Sequence, residues 1–284
     1  GIGWSGMNTG GYTLLATAAP MDRRGEASGY YGGVQSTATI LFPAVALWII
    51  DAPYGGFNAV FLAAMILVLI GAAAAYFLSR EVPAHRPRST VEASTTWWRE
   101  IISVFDRHIL LAALLLFTLN LSLPSLSSFV VLYAKQIGIG QFGWYYVVIG
   151  ITSTLARPLL GRLSDKIGCA RSLLLAFGFE TAALVMMPMV KSLVGIMIAG
   201  AIWYIGSAIG GARILALAME RAPAERRGRA MASFSVAFPL SNGTGALLSG
   251  IVLDVAGFAW MYSTAAVLCS VGFALTAKNW SSLK

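Results

Sequence analysis

Ala19-Pro-Met-Asp-Arg-Arg-Gly-Glu-Ala27 returns 203 residues later (222 minus 19) as Ala222-Pro-Ala-Glu-Arg-Arg-Gly-Arg-Ala230, with six identical positions and one Asp/Glu exchange. The match runs on into the flanks. Ile2-Gly3 falls on Ile205-Gly206 and, with two residues of slippage, Gly56-Phe57 falls on Gly257-Phe258. A repeat of this length in a chain this apolar points to two similar helix bundles.

Hydrophobic residues make up 57% of the chain and charged residues only 11%, with a mean hydropathy of +0.74. Soluble domains average about 25% charged residues, so lipid is the solvent for most of this chain. A bilayer-spanning helix needs roughly 20 mainly apolar residues. Nine segments qualify: Gly1–Ala19, Ala27–Ile50, Phe57–Leu78, Ile109–Ala134, Phe142–Leu160, Leu173–Val190, Leu193–Met219, Ala230–Leu253 and Phe258–Ala277. The connections are short and rich in turn formers, as in Asp51-Ala-Pro-Tyr-Gly-Gly56. Only the segment from Arg80 to Arg107 is long, polar and basic.

These breaks predict an all-α membrane protein of two pseudo-symmetric halves, with 1–79 in the first, 80–107 as a linker and 108–284 in the second. Trp97, Trp98, Ile101, Ile102 and Phe105 give the linker a helix suited to the membrane interface. The second half has three spans ahead of its Ala222–Ala230 loop, whereas the first has none ahead of Gly1–Ala19. By symmetry, three helices of about 100 residues are expected before Gly1. The alternative is a native nine-helix protein.

If alternate connections share one side, that side holds 16 of the 20 Lys and Arg, including Arg23, Arg162 and Arg226. The positive-inside rule then places those loops in the cytoplasm. The pI near 9.7 follows from topology, and no nucleic-acid partner is expected. Cys169, in a loop, and Cys269, within the last span, suggest no disulfide. There is no Gly-x-x-x-x-Gly-Lys-Ser/Thr phosphate loop, no metal-ligand cluster and no Gly-x-Ser-x-Gly elbow. Neither a cofactor nor an enzymatic reaction is expected.

Between the fifth and sixth spans lies Gly161-Arg-Leu-Ser-Asp-Lys-Ile-Gly168, followed by Arg171. Its glycines suit a tight turn, and Asp165 suits a helix N-terminus or an Arg. The run resembles the cytoplasmic loop signature of the major facilitator superfamily, Gly-x-Leu-Ser/Ala-Asp-Arg/Lys-x-Gly-Arg-Arg/Lys, departing from it at Cys169 and Ala170. The resemblance implies spans four to twelve of a twelve-helix secondary transporter, working by alternating access on a small organic solute, with protons as the driving ion. It also implies that Gly161, Asp165, Lys166, Gly168 and Arg171 form a conformational latch, with Asp165 meeting the helix that starts near Arg229. A monomer in the cytoplasmic membrane is expected. The Gly-x-x-x-Gly-Pro-x-x-Gly-Gly run of drug and proton antiporters is missing from Gly29–Trp48.

A charge at mid-membrane is costly and marks a functional candidate. Glu180 lies nine residues beyond Arg171, and Arg213 eight before Arg221, so equal rise per residue places both at similar depth, where they could pair. Arg213 is a candidate for an anionic solute or for coupling, and Glu180 for carrying a proton. Polar cavity candidates are Asn8 and Tyr12, four apart on one helix face, Asn120 and Ser125 around Pro124, and Trp203 with Tyr204. Pro124 should interrupt its helix and leave carbonyls for a cavity or for Ser hydroxyls to satisfy. Gly206, Gly210 and Gly211 read as helix-packing positions. Export of apolar or cationic compounds is favoured, uptake of an anionic metabolite is the runner-up, and a non-transporting sensor or scaffold of the same fold is the third reading.

Overall fold

The computed structural model describes residues 41–53, 55–81, 110–221 and 227–283, with Gly11 and Ala38, and its regular elements there are all helices. For 78–81, 157–159, 161–166, 227–233, 235 and 282 it describes the backbone alone. The chain divides into two compact units, Gly1–Ser94 and Thr95–Lys284.

In the first unit, α1 (Leu41–Asp51) and α2 (Phe57–Glu81) are joined by a turn in which Gly56 takes φ +123°. Gly56 N–H donates to the Ile49 carbonyl at 3.3 Å. An L side chain is strained at such a φ, which is why glycine precedes Phe57. Phe57–Phe77 is 21 residues of apolar helix, enough at about 1.5 Å per residue to cross roughly 30 Å of hydrocarbon.

The second unit holds α3 (Leu110–Asn120), α4 (Leu123–Ser127), α5 (Phe129–Gln136), α6 (Gly143–Ile167), α7 (Cys169–Met186), α8 (Leu193–Arg221) and α9 (Arg227–Lys278). The short helices α3, α4 and α5 together make one broken span, Leu110–Gln136. α9 is interrupted at Gly257 (φ +83°, ψ 178°) into arms 227–256 and 258–278. Leu248 and Ser249 on the first arm line one cleft with Met261 and Ala265 on the second, so the arms fold back on each other. Gly56-Phe57 and Gly257-Phe258, matched by the repeat, thus share a local structure: a left-handed glycine ahead of a helix.

Among the described residues, five stretches are long and apolar enough to cross a membrane: Phe57–Phe77, Leu110–Gln136, Cys169–Met189, Leu193–Arg221 and Val236–Lys278. The last contains two of the expected spans, and α6 adds the Phe142–Leu160 segment as a helix. Gly1–Ala19, most of Ala27–Ile50 and the interfacial part of the linker lie outside the described residues.

α8 packs against α7, α6 and α3, while α9 packs against α3, α4 and α7. Trp203, Tyr145, Tyr262, Phe177, Leu115 and Leu119 fill the core between them. Small residues let backbones approach: a Cβ on Gly206 would lie 2.7 Å from the Ala176 carbonyl, and one on Gly210 2.9 Å from Leu119. Gly211 has no neighbour within 4 Å among the described residues, because it lies one residue, about 100° of helix, off that contact line.

Two expectations change. Gly161 makes no turn, because α6 continues in register through Ile167 and the chain reverses at Gly168 alone, with φ +85°. Cys169 is the first residue of α7 and buried, since that one-residue link leaves no loop for it to occupy.

Among the described glycines of the second unit, Gly245 of α9 comes closest to another backbone, at the Leu121 carbonyl, where a Cβ would collide. Gly245→Ala should cost about 1–3 kcal/mol through overpacking. Gly243→Ala, on the same arm with open space around it, should not lower stability. Thermal unfolding of the two variants in lipid or detergent checks the contrast.

Candidate transport site

Pro124 has no N–H, so the carbonyl of Asn120, four residues back, loses its helical donor, and α3 ends there. The chain turns through Leu121 and Ser122, makes the single turn of α4, and kinks again at Ser128 (φ −111°) before α5. Asn120 Nδ2 folds back to donate to the Leu116 carbonyl at 3.0 Å.

Tyrosine phenols, where serine hydroxyls or a cavity were expected, take three of the carbonyls of α4. Tyr262 OH donates to the Ser125 carbonyl at 3.3 Å, Tyr145 OH to Leu126 at 2.9 Å and Tyr146 OH to Ser127 at 2.6 Å. A serine hydroxyl reaches little beyond its own backbone, whereas a phenol spans the gap between two helices. Serines serve the side-chain contacts: Ser125 Oγ lies 2.9 Å from Ser249 Oγ, and Trp203 Nε1 donates to Ser122 Oγ at 3.0 Å. α6, α8 and both arms of α9 thus grip the broken segment. Around it, Phe142 stacks on Tyr145 at 4.8 Å, Trp203 meets Tyr204 edge-on at 4.9 Å and Tyr133 meets Tyr262 at 5.6 Å. The cleft between Leu121, Ser122 and the α9 arms has a cavity volume of about 10 Å³, room for one water.

The expected cavity residues therefore separate. Asn120, Ser125 and Trp203 are buried and bonded within the bundle, while Tyr204 is half-buried. Asn8 and Tyr12 lie outside the described residues, as do the side chains of Asp165 and Lys166 and that of Arg229. Gly168 is the turn between α6 and α7, and Arg171 is exposed.

Glu180 and Arg213 are not partners. Glu180 Oε2 accepts from Cys269 Sγ at 3.4 Å, and Arg213 Nη2 meets Glu220 Oε1 at 3.4 Å. A Cβ on Gly206 would lie 3.1 Å from Glu180 Cγ, so Glu180 sits at the level of Gly206, seven residues or about 10 Å along α8 from Arg213. Counting from Arg171 and Arg221 misplaced the pair because α8 extends further beyond the contact than α7 does. Tyr145, Tyr146, Tyr262, Ser249 and Cys269 were missed as site residues. The available signal was the proline, which marked the broken segment but not the kink at Ser128 whose preceding carbonyls the phenols take.

One family model, the Major Facilitator Superfamily, matches residues 1–193 and again 136–278. The chain belongs to the major facilitator superfamily. It is a multi-pass membrane transporter of small-molecule solutes, with the bilayer as its surroundings, and not an enzyme. No curated protein matches the chain.

Removing a phenol hydroxyl strands a buried carbonyl, at about 1–3 kcal/mol. Tyr145→Phe and Tyr262→Phe, both fully buried, should fall in that range. Tyr146→Phe, at a half-buried position, should cost less because water can replace it. Chemical or thermal unfolding of the three variants tests the ranking.

Proposed function

We propose that this superfamily member exports small apolar or cationic organic solutes across the cytoplasmic membrane as a monomer, with inward proton movement as the driving force. Its halves, 1–79 and 108–284, rock about a midplane solute site, and the loops bearing Arg23, Arg162 and Arg226 face the cytoplasm. Charge asymmetry between alternate connections supports that orientation. Solute contacts are assigned to Tyr204 and to the aromatic surface beside the α3–α5 break, joined by Asn8 and Tyr12 of the first half. The Gly161–Arg171 motif serves as the latch of one conformation.

One observation carries the choice of solute. Arg213, the mid-bundle cation on which an anionic solute would depend, is 15% exposed in its side chain and faces Glu220 of its own helix at 3.4 Å. A cation already answered by a carboxylate offers little to an incoming anion. The half-buried rings beside the break, Tyr146 and Tyr204, are phenols, which suit an apolar or cationic solute.

The test is solute flux in proteoliposomes made from the native protein. Arg213→Ala should change the half-saturating concentration of a lipophilic cation by less than about threefold. An importer of anions would lose tenfold or more, about 1.4 kcal/mol of binding. Absence of saturable flux for any solute class, with the protein folded, would favour the sensor reading.

A further inference from the structure

Glu180 is fully buried where α7 meets α8 and the second arm of α9. Oε2 accepts from the Cys269 thiol, whereas Oε1 has no hydrogen-bond partner among the described residues. Thr181 Oγ1, on the next residue, is likewise buried without a well-formed hydrogen bond, beside the same thiol. The groups facing the carboxyl are the backbone at Gly206 of α8 and Cys269 of α9, and no described cation pairs with it. Two orphaned oxygens at one buried place call for a missing partner. A charged carboxylate there would be an anion with nothing opposite it.

We propose that Glu180 is a proton-binding site at the interface of α7 with the second arm of α9, held by Cys269 and separate from the solute contacts at the α3–α5 break. Oε1 takes a proton from a hydronium ion of the surrounding water: the donor's O–H bond breaks, the carboxyl O–H bond forms and a water molecule is left, and release is the reverse. Cys269 lies seven residues beyond Tyr262, about 10 Å along one helix face. Tyr262 grips the break by donating to the Ser125 carbonyl, so the proton and the solute occupy different places on one arm. The site stands on this geometry alone, and only its use in transport rests on the proton-driven reading. In that use, the proton alters turnover and leaves the half-saturating solute concentration unchanged.

Infrared spectra of the native protein in lipid test the site. A protonated-carboxyl C=O stretch should be lost in Glu180→Gln and should move to higher frequency in Cys269→Ala, where Oε2 loses its donor. Identical carboxyl regions in the native protein and Glu180→Gln overturn the proposal. A carboxylate stretch that responds to Na⁺ in place of the C=O band does the same. If Glu180→Gln does not fold, an unmoved band in Cys269→Ala is decisive against it. A native protein that shows the band, yet whose solute flux ignores a pH gradient, retires the proton-driven reading and leaves the site standing.

Discussion

In hydrocarbon a backbone carbonyl without a donor has no water to turn to, and that constraint organises the second unit. Pro124 removes one N–H from the middle of a span, and Ser128 adds a second departure from helical geometry. The break survives because phenols on α6 and α9 reach across to the α4 carbonyls. Those phenols in turn need close neighbours, which Gly200 beside Tyr145 and Gly245 beside Leu121 permit by giving up their side chains. The carbonyls that the phenols take, Ser125 to Ser127, lie just ahead of the kink at Ser128, so the broken segment as a whole goes with particular residue types on three other helices.

A transporter must hold its helices firmly yet let some of them shift. The grip on the break suits both needs, because it is made of single hydrogen bonds from side chains, each of which can be broken without breaking a helix. α8 provides the firm part. It lies against α7, α6 and α3, and its contact line through Gly206 and Gly210 brings backbones close enough for many small van der Waals contacts. Many apolar side chains face outward, such as Leu247 at 64% exposure, which a hydrocarbon surrounding tolerates and water would not.

Much of the described architecture is legible in the sequence. Apolar runs located the helices, Pro124 announced the break, and the match of Gly56-Phe57 with Gly257-Phe258 marked two left-handed turns. The loop signature gave the family, although its first glycine lies within a helix. The grip was not legible, because Tyr262 and Ser125 are 137 residues apart and neither carries a local pattern announcing the other. Depth was misjudged for Glu180 and Arg213 because residue counts run from helix ends, and helix ends need not be level. Side-chain direction also escaped the sequence: Trp203, Ser125 and Asn120 look like cavity residues by type and serve as internal struts.

The reversal at Gly257 also bears on how the chain is made. Only one residue between the two arms of α9 departs from helical geometry, so hardly any polar segment separates them. Neither arm can settle in the bilayer while the other waits in water, since the turn is too short to reach from one phase to the other. The two must enter together as a helical hairpin, joining the bundle as a pair rather than as single helices arriving in turn.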